Sequence, residues 1–393
     1  MAKMTSKERI VATIKHESTD HIPLCFDGIG HQSVEFVNRL YPDQFERARF
    51  YLDMETDTAI RMSPPLHSMT GFRTRQWEEH PAGEYPLLHK EYITPKGSLT
   101  QVIRKHEYPF DSVSLFSDHH VPSSRSAKYL IEKDSDLDKL EYILKPPNGE
   151  ELVTYRQMAE EAREFCDEHQ ILFAGYLQGI GDPILWMSGI ELTVIFSIEK
   201  PDFLKRYIDI VSRWNNAILE IQVDAGVDLL IRRGWYEIAD FWAPDLYREF
   251  LFYPLKHEIE MAHQAGVYYT YVMNSDVKPF LDVFRELQFD IYSNIDPVTA
   301  KMDLADIKRE LGSYMTLYGG VNNFLVLEMG ELEDVRKAVI TAIEKLSPDG
   351  GYVIGTGDTL DFTLNYQDIT KRNFYEMIKV WKEVCLKGEG YGS

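Results

Sequence analysis

The sequence predicts an α/β protein folded as a (β/α)8 TIM barrel. Three observations carry this expectation. From residue 150 onward, strand-like and helix-like patterns alternate regularly. The strands read as short apolar runs, as buried parallel strands do. Eight such runs can be counted along the chain. No Gly-x-Gly-x-x-Gly fingerprint or P-loop opens a helix, which disfavours a doubly wound nucleotide-binding sheet.

The elements follow in chain order. Thr5-Ser-Lys-Glu8 fits a capping box that opens a helix through Lys15. An acidic loop, Glu17 to Asp20, then feeds a first strand through Ile22-Pro-Leu-Cys-Phe26, and Thr58–Met62 reads as the second. Between about residues 71 and 146 the pattern changes. There His89–Thr94 and Leu99–Arg104 flank the turn signal Pro95-Lys-Gly97, which predicts a β-hairpin insertion after the second strand. The remaining strands are Ile171–Tyr176, Val227–Ile231, Tyr268–Met273, Asp290–Asn294, Tyr314–Leu317 and Tyr352–Ile354. Among the helices, Phe203, Tyr207, Ile210, Trp214 and Ile218 mark one face, and Leu332, Val335, Val339, Ala342 and Leu346 another. The whole chain, 1–393, is expected to form a single domain.

Bulk composition narrows the function. A hydrophobic fraction of 44% and a charged fraction of 27% are ordinary for a globular protein. A formal charge of −21 argues against a nucleic-acid surface or an acidic membrane patch as partner. Cys25, Cys166 and Cys385 form no CxxC pair, so a reducing, cytoplasmic setting is expected. No signal-peptide pattern opens the sequence, and no apolar run approaches the roughly 18 residues of a membrane span.

In barrels of this kind, reacting groups sit where strands end. Residues just past the strand ends include His31, Gln178, Asp182, Trp186, Met187, Arg232, Trp235, Tyr236, Glu237, Met273, Asn274, Asn322 and Asp358, with Tyr271 and Tyr318 near the ends of their own strands. Rings, amides and carboxylates dominate this set, which suits a flat aromatic substrate stacked on ring faces. Asp276, Asp296 and Asn322 read equally well as turn or capping residues, and Asp182-Pro and Asp296-Pro as turns. Glu237 lies in an aromatic run, and Asp358 in the glycine-relieved turn Gly355-Thr-Gly-Asp358. A carboxyl so placed can hold a proton and act as a general acid. His31 and Tyr236 are further proton donors. Asp118-His119-His120 lacks partner spacing for a metal, so no metal ligands are assigned.

Several segments together resemble the uroporphyrinogen decarboxylase superfamily. They are the helix Ser6–Lys15 with Asp20-His-Ile-Pro23, Ala225-Gly-Val-Asp228, Ala243-Pro-Asp-Leu-Tyr-Arg-Glu-Phe250 with Tyr253-Pro254, and Gly350-Gly-Tyr-Val353. The resemblance implies the same barrel fold. The decarboxylases carry Arg-Gln-Ala-Gly-Arg after the first strand, where this chain has Phe26-Asp-Gly-Ile-Gly-His-Gln32. The zinc-dependent, cobalamin-linked methyltransferases carry His-x-Cys and a late Cys, where this chain has Val272, Asn274 and Asp358. Zinc through those ligands is therefore not expected, although related enzymes use other ligand sets, and one drawn from Glu237, Asp358 and a histidine stays open.

The branch left by these departures resembles the first methyltransferase of corrinoid-dependent O-demethylase systems. It implies transfer of a methyl group from a phenyl methyl ether to the Co(I) corrinoid (cobalamin) of a partner protein in a transient complex. In that reading Glu237, Asp358, His31 and Tyr236 are the catalytic candidates. Gln178, Trp186, Met187, Arg232, Trp235, Tyr271, Met273, Asn274, Tyr318 and Asn322 would bind the aromatic donor. Two alternatives stand beside it. One is a metal-independent decarboxylase of an aromatic or pyrrolic acid gripped by Arg232 or Arg233, and the other a non-catalytic barrel that binds a corrinoid or a partner.

Overall fold

Seven parallel strands form the main sheet: β1 (Ala59–Arg61), β6 (Leu172–Leu177), β7 (Leu229–Arg233), β8 (Tyr268–Val272), β9 (Ile291–Ile295), β10 (Thr316–Val321) and β11 (Tyr352–Thr356), hydrogen-bonded in that order. The computed structural model describes residues 3–68, 70–105, 112–361 and 365–386. Leu24 bridges Ile354 of β11, and Cys25 bridges Asp57 just before β1, so the segment between Pro23 and Cys25 joins the two edges of the sheet. It is the eighth expected strand, reduced to a few pairings because Pro23 has no N–H to give and Gly28 turns the chain away at φ 103°.

Alternation along the strands divides the interior into two layers. Cys25, Ala59, Leu172, Ala174, Leu229, Ile231, Val272, Ile291, Tyr318 and Val353 fill the barrel lumen. Their neighbours, among them Ile60, Phe173, Leu230, Tyr271 and Tyr292, pack outward against the helices. The expected helix faces are the buried ones: Phe203, Tyr207, Ile210, Trp214 and Ile218 on Pro201–Asp224, and Val335, Val339, Ala342 and Leu346 on Leu332–Leu346. Leu332 itself is exposed. Thr5 and Glu8 make the expected capping box.

Two expectations change in detail. The strand read at Tyr314–Leu317 runs instead from Thr316 to Val321, through Gly319 and Gly320, where the register against β9 shifts at a bulge. The insertion is more than a hairpin. It is a four-stranded antiparallel sheet, β2 (Arg73–Glu79), β3 (Leu87–Thr94), β4 (Gly97–Arg104) and β5 (Ser126–Lys128), whose central pair is the hairpin turned by Pro95-Lys96.

The helix Gly181–Glu199 is long and apolar enough to cross a membrane, contrary to the reading of the sequence. Within the protein, 67% of its apolar window is buried. It is also broken at Gly189, whose φ of 70° and ψ of 172° suit glycine alone.

Candidate active site

Three neighbouring strands end at the barrel mouth with a polar residue on the lumen side. In β1 the inward residue Ala59 is followed two positions later by Arg61, in β6 Ala174 by Tyr176, and in β7 Ile231 by Arg233. With His31, Ser63, Gln178, Trp186 and the insertion residues Phe116 and Asp118, they line a cavity of about 530 Å³. That size falls in the range of small-molecule sites, roughly 300–1,000 Å³.

Each side chain is held by identifiable partners. The Tyr176 backbone exchanges two hydrogen bonds with the Gln222 amide, at 2.6 and 3.2 Å. Gly175 makes that approach possible, since a Cβ there would stand 2.3 Å from the Gln222 oxygen. The Tyr176 hydroxyl lies 3.0 Å from His31 Nδ1. Burial, reinforced by the charges of Arg233 and Arg61, holds the His31 imidazole well below its usual range, so the ring is neutral. Trp235 meets His31 edge-on at 5.6 Å, and its buried indole N–H has no partner among the described residues.

Arg233 is clamped. Its Nε donates to Asp182 at 2.5 Å and its Nη2 to Asp118 at 2.9 Å, with the guanidinium 4.8 Å from the Trp186 ring centre. The same Asp118 oxygen accepts from Trp186 Nε1 and the Tyr236 hydroxyl, both at 2.9 Å. One carboxylate from the insertion thus gathers three groups of the barrel rim. The His119 side chain lies outside the described residues, and His120 is buried. Asp182 also accepts from the Tyr236 amide at 2.7 Å, so it is an anchor as well as a turn residue.

Asp358 sits half-buried on the turn after β11, its Oδ1 accepting from the Thr359 amide at 2.6 Å. Burial pushes its carboxyl up to about 6, against the pull of that amide and of the Arg233 charge. It holds a proton at mildly acidic pH.

Other expected site residues lie elsewhere, and strand parity explains most of them. Arg232 and Tyr271 point outward from the barrel, into the layer between sheet and helices. There Arg232 pairs with Glu237 through both terminal nitrogens and reaches Glu258 at 3.4 Å. Glu237 further accepts from the Tyr271 hydroxyl and the Gly181 amide, both at 2.7 Å, and is fully buried. This network is sealed from the cavity. Met187 and Met273 are buried in the same helix-facing core. Tyr318 lies inside the barrel with its hydroxyl on the Cys25 carbonyl at 3.1 Å.

The opposite half of the mouth is occupied by hydrogen bonds between turns. The Asn274 and Asn294 amides both donate to the Gly357 carbonyl, at 2.8 and 3.1 Å. Asn322 donates to Asp296 at 2.7 Å and caps the next turn through Leu325 at 2.6 Å. Of the expected set, His31, Gln178 and Trp186 line the cavity, Trp235 and Tyr236 touch residues that do, and Asp358 is linked to it only through the charge of Arg233. Arg61, Tyr176 and Phe116 are additions. Arg61 and Tyr176 lie inside their strands, where the signal is the last inward residue and not the first residue past the strand. Phe116 lies in irregular chain with no local signal.

The places matched to the zinc ligands of the related methyltransferases carry no such set. Val272 has no donor atom, the Asn274 amide is engaged at both ends, and no three His, Cys, Asp or Glu among the described residues converge on one point.

A barrel of this topology, with helix-sealed strands and an open C-terminal mouth, is matched by known proteins. The signature of the Uroporphyrinogen decarboxylase (URO-D) family matches residues 130–370. The chain belongs to the URO-D family. Among solved structures this URO-D barrel is similar to a methyltransferase from Methanosarcina mazei, at a TM-score of 0.62 and 15% identity over 97% of this chain and 99% of that one. A looser likeness, TM-score 0.46 at 11% identity over 93% and 97% of the two chains, is to a B12-independent methionine synthase from Shewanella sp. W3-18-1. A search of curated proteins by sequence gives no match. At these identities the solved structures speak to the fold.

Proposed function

We propose that this URO-D barrel is a methyltransferase of the O-demethylase type. It takes a methyl group from a methoxylated aromatic and passes it to the Co(I) corrinoid of a partner protein. The observation that carries the reading is the ring-lined cavity of about 530 Å³, with Phe116, Tyr176 and Trp186 in its wall. Membership of the URO-D family and the likeness of fold to the Methanosarcina mazei methyltransferase support it.

The chemistry asks little covalent work of the barrel. Breaking the O–CH3 bond releases a phenolate, whose conjugate acid has a pKa near ~10, so the barrel must orient the ether and stabilise the leaving oxygen. The corrinoid supplies the nucleophile, and in this reading it arrives on a separate protein. The complex is transient, and its reduced cobalt fits a reducing cytoplasm. Asp358, whose raised carboxyl feels the charge of Arg233 in the cavity wall, is the group assigned to give its proton to the phenolate oxygen. His31 and Tyr176 share one hydrogen bond and fix the ring wall between them.

The test mixes the protein with a Co(I)-reduced corrinoid carrier and a panel of methoxyphenols. Loss of the Co(I) absorbance with release of the matching phenol is the expected result. A competent carrier that stays unmethylated across the panel would refute the reading. Arg61 and Arg233 at the cavity favour one second reading, decarboxylation of an aromatic acid, and release of CO2 without any corrinoid tests it.

A further inference from the structure

The two arginines at the cavity are not equivalent. Arg233 has its charge matched by Asp182 and Asp118, at 2.5 and 2.9 Å. Arg61 has no such match. Of its five N–H donors, one reaches the Gly30 carbonyl at 2.8 Å. Its nearest carboxylate, Asp27, stands 3.9 Å away, too far for a hydrogen bond, and is shared with Arg47 at 3.8 Å. One negative charge therefore faces two positive ones, and four Arg61 donors lack a close partner among the described residues. The guanidinium lies 5.5 Å from the Tyr176 ring centre, in the cavity wall, with its side chain 28% exposed.

We propose that Arg61 is an anion receptor and that the aromatic bound in this cavity carries a carboxylate. A planar guanidinium with free donors matches a carboxylate through two parallel N–H···O bonds. The aromatic walls of Phe116, Tyr176 and Trp186 take the ring while Arg61 takes the acid group. A ring held at its carboxylate has a fixed distance from Arg61 to any methoxy substituent, which is what in-line transfer needs. The substrate class is then a methoxylated aromatic acid and not a neutral anisole or guaiacol. The methoxy part of this inference rests on the methyltransferase reading, and the carboxylate part does not.

Calorimetric titration of the full chain with 3- and 4-methoxybenzoate, against the matching neutral methoxybenzamides, tests it. The acids are expected to bind at least about tenfold tighter, the worth of a charge-assisted pair. Arg61→Gln should abolish that preference, and Arg61→Lys, which keeps charge but not the fork, should retain part of it. Thermal unfolding of both variants separates loss of binding from loss of fold, and the wild-type acid-over-amide ratio needs no variant. Equal binding of acid and amide, no binding of either, or a preference that survives in Arg61→Gln would each overturn the proposal. Unsubstituted benzoate binding as well as the methoxy acids would leave Arg61 standing as the receptor. The Co(I) assay decides methyl transfer separately.

Discussion

Two carboxyls singled out in the sequence, Asp358 and Glu237, end in opposite situations. Asp358 is half-buried on the turn after β11, with its carboxyl raised to about 6 by burial. A raised acid is protonated below that pH and loses its proton as pH climbs through it. If it is the proton donor, kcat/KM for methyl transfer stays level below about pH 6 and then falls about tenfold per unit. Asp358→Asn should lower the rate by about 10²–10⁴-fold and remove that limb. A profile unchanged in the variant would take Asp358 out of the chemistry. The same shift bears on stability with a definite sign. The unfolded carboxyl ionises near its ordinary value while the folded one resists, so this group disfavours folding increasingly as pH rises from about 4 to about 6. Glu237 is different, because it is the sealed partner of Arg232. Glu237→Gln leaves a buried guanidinium short of charge, and urea unfolding should show a loss of about 3–5 kcal/mol. A loss below about 1 kcal/mol would show that the pair is not the structural clamp the geometry describes.

At the scale of elements, the site is decided by strand parity and by one broken helix. A shift of one residue exchanges Arg232 for Arg233, and the lumen for the helix layer. Reading residues past the strand ends finds His31, Gln178 and Trp186 at the cavity, since the βα loops and the first turns of the following helix carry them. It misjudges Arg232 and Tyr271 because both faces of a parallel barrel strand are covered, so the sequence carries no polar-out alternation to say which side is the lumen. The helix after β6 carries Trp186 toward the cavity and then breaks at Gly189, where a Cβ would stand 2.2 Å from the Tyr129 ring. Gly189→Ala should cost about 1–3 kcal/mol for the backbone conformation alone, and more for the clash. Thermal unfolding of Gly189→Ala with and without Tyr129→Ala separates the two contributions, and a purely conformational cost would leave the second change without benefit.

For the whole molecule, the insertion and the barrel are two layers that meet over the cavity. The insertion contributes Phe116 and Asp118 to the wall, and the three bonds on the Asp118 oxygen tie its loop to the rim. Asp118 is itself 55% exposed, so its removal should cost the fold little. Its effect falls on the cavity. Asp118→Ala releases Trp186 and the Tyr236 hydroxyl and leaves Arg233 on Asp182 alone, and aromatic ligands should bind about three- to tenfold more weakly with little change in Tm. Unchanged affinity in that variant would mean that the insertion only covers the site and does not shape it.

The sequence by itself determined the barrel, because eight buried runs separated by crossover helices have few other ways to hide their backbone and apolar faces. It also determined the capped first helix, the hairpin at Pro95-Lys96 and the placement of His31, Gln178 and Trp186 past their strand ends, all of which depend on local chemistry. Only the tertiary structure decided which side of each strand faces the lumen, since that phase is set by closure through the segment between Pro23 and Cys25. It likewise decided that Asn274, Asp296 and Asn322 spend their hydrogen bonds on neighbouring turns, because those partners are brought together only when β8 through β11 lie side by side. The pairing of Arg233 with Asp118, 115 residues apart, belongs to the same class. An unmatched charge such as Arg61 is visible only once every partner within reach has been placed.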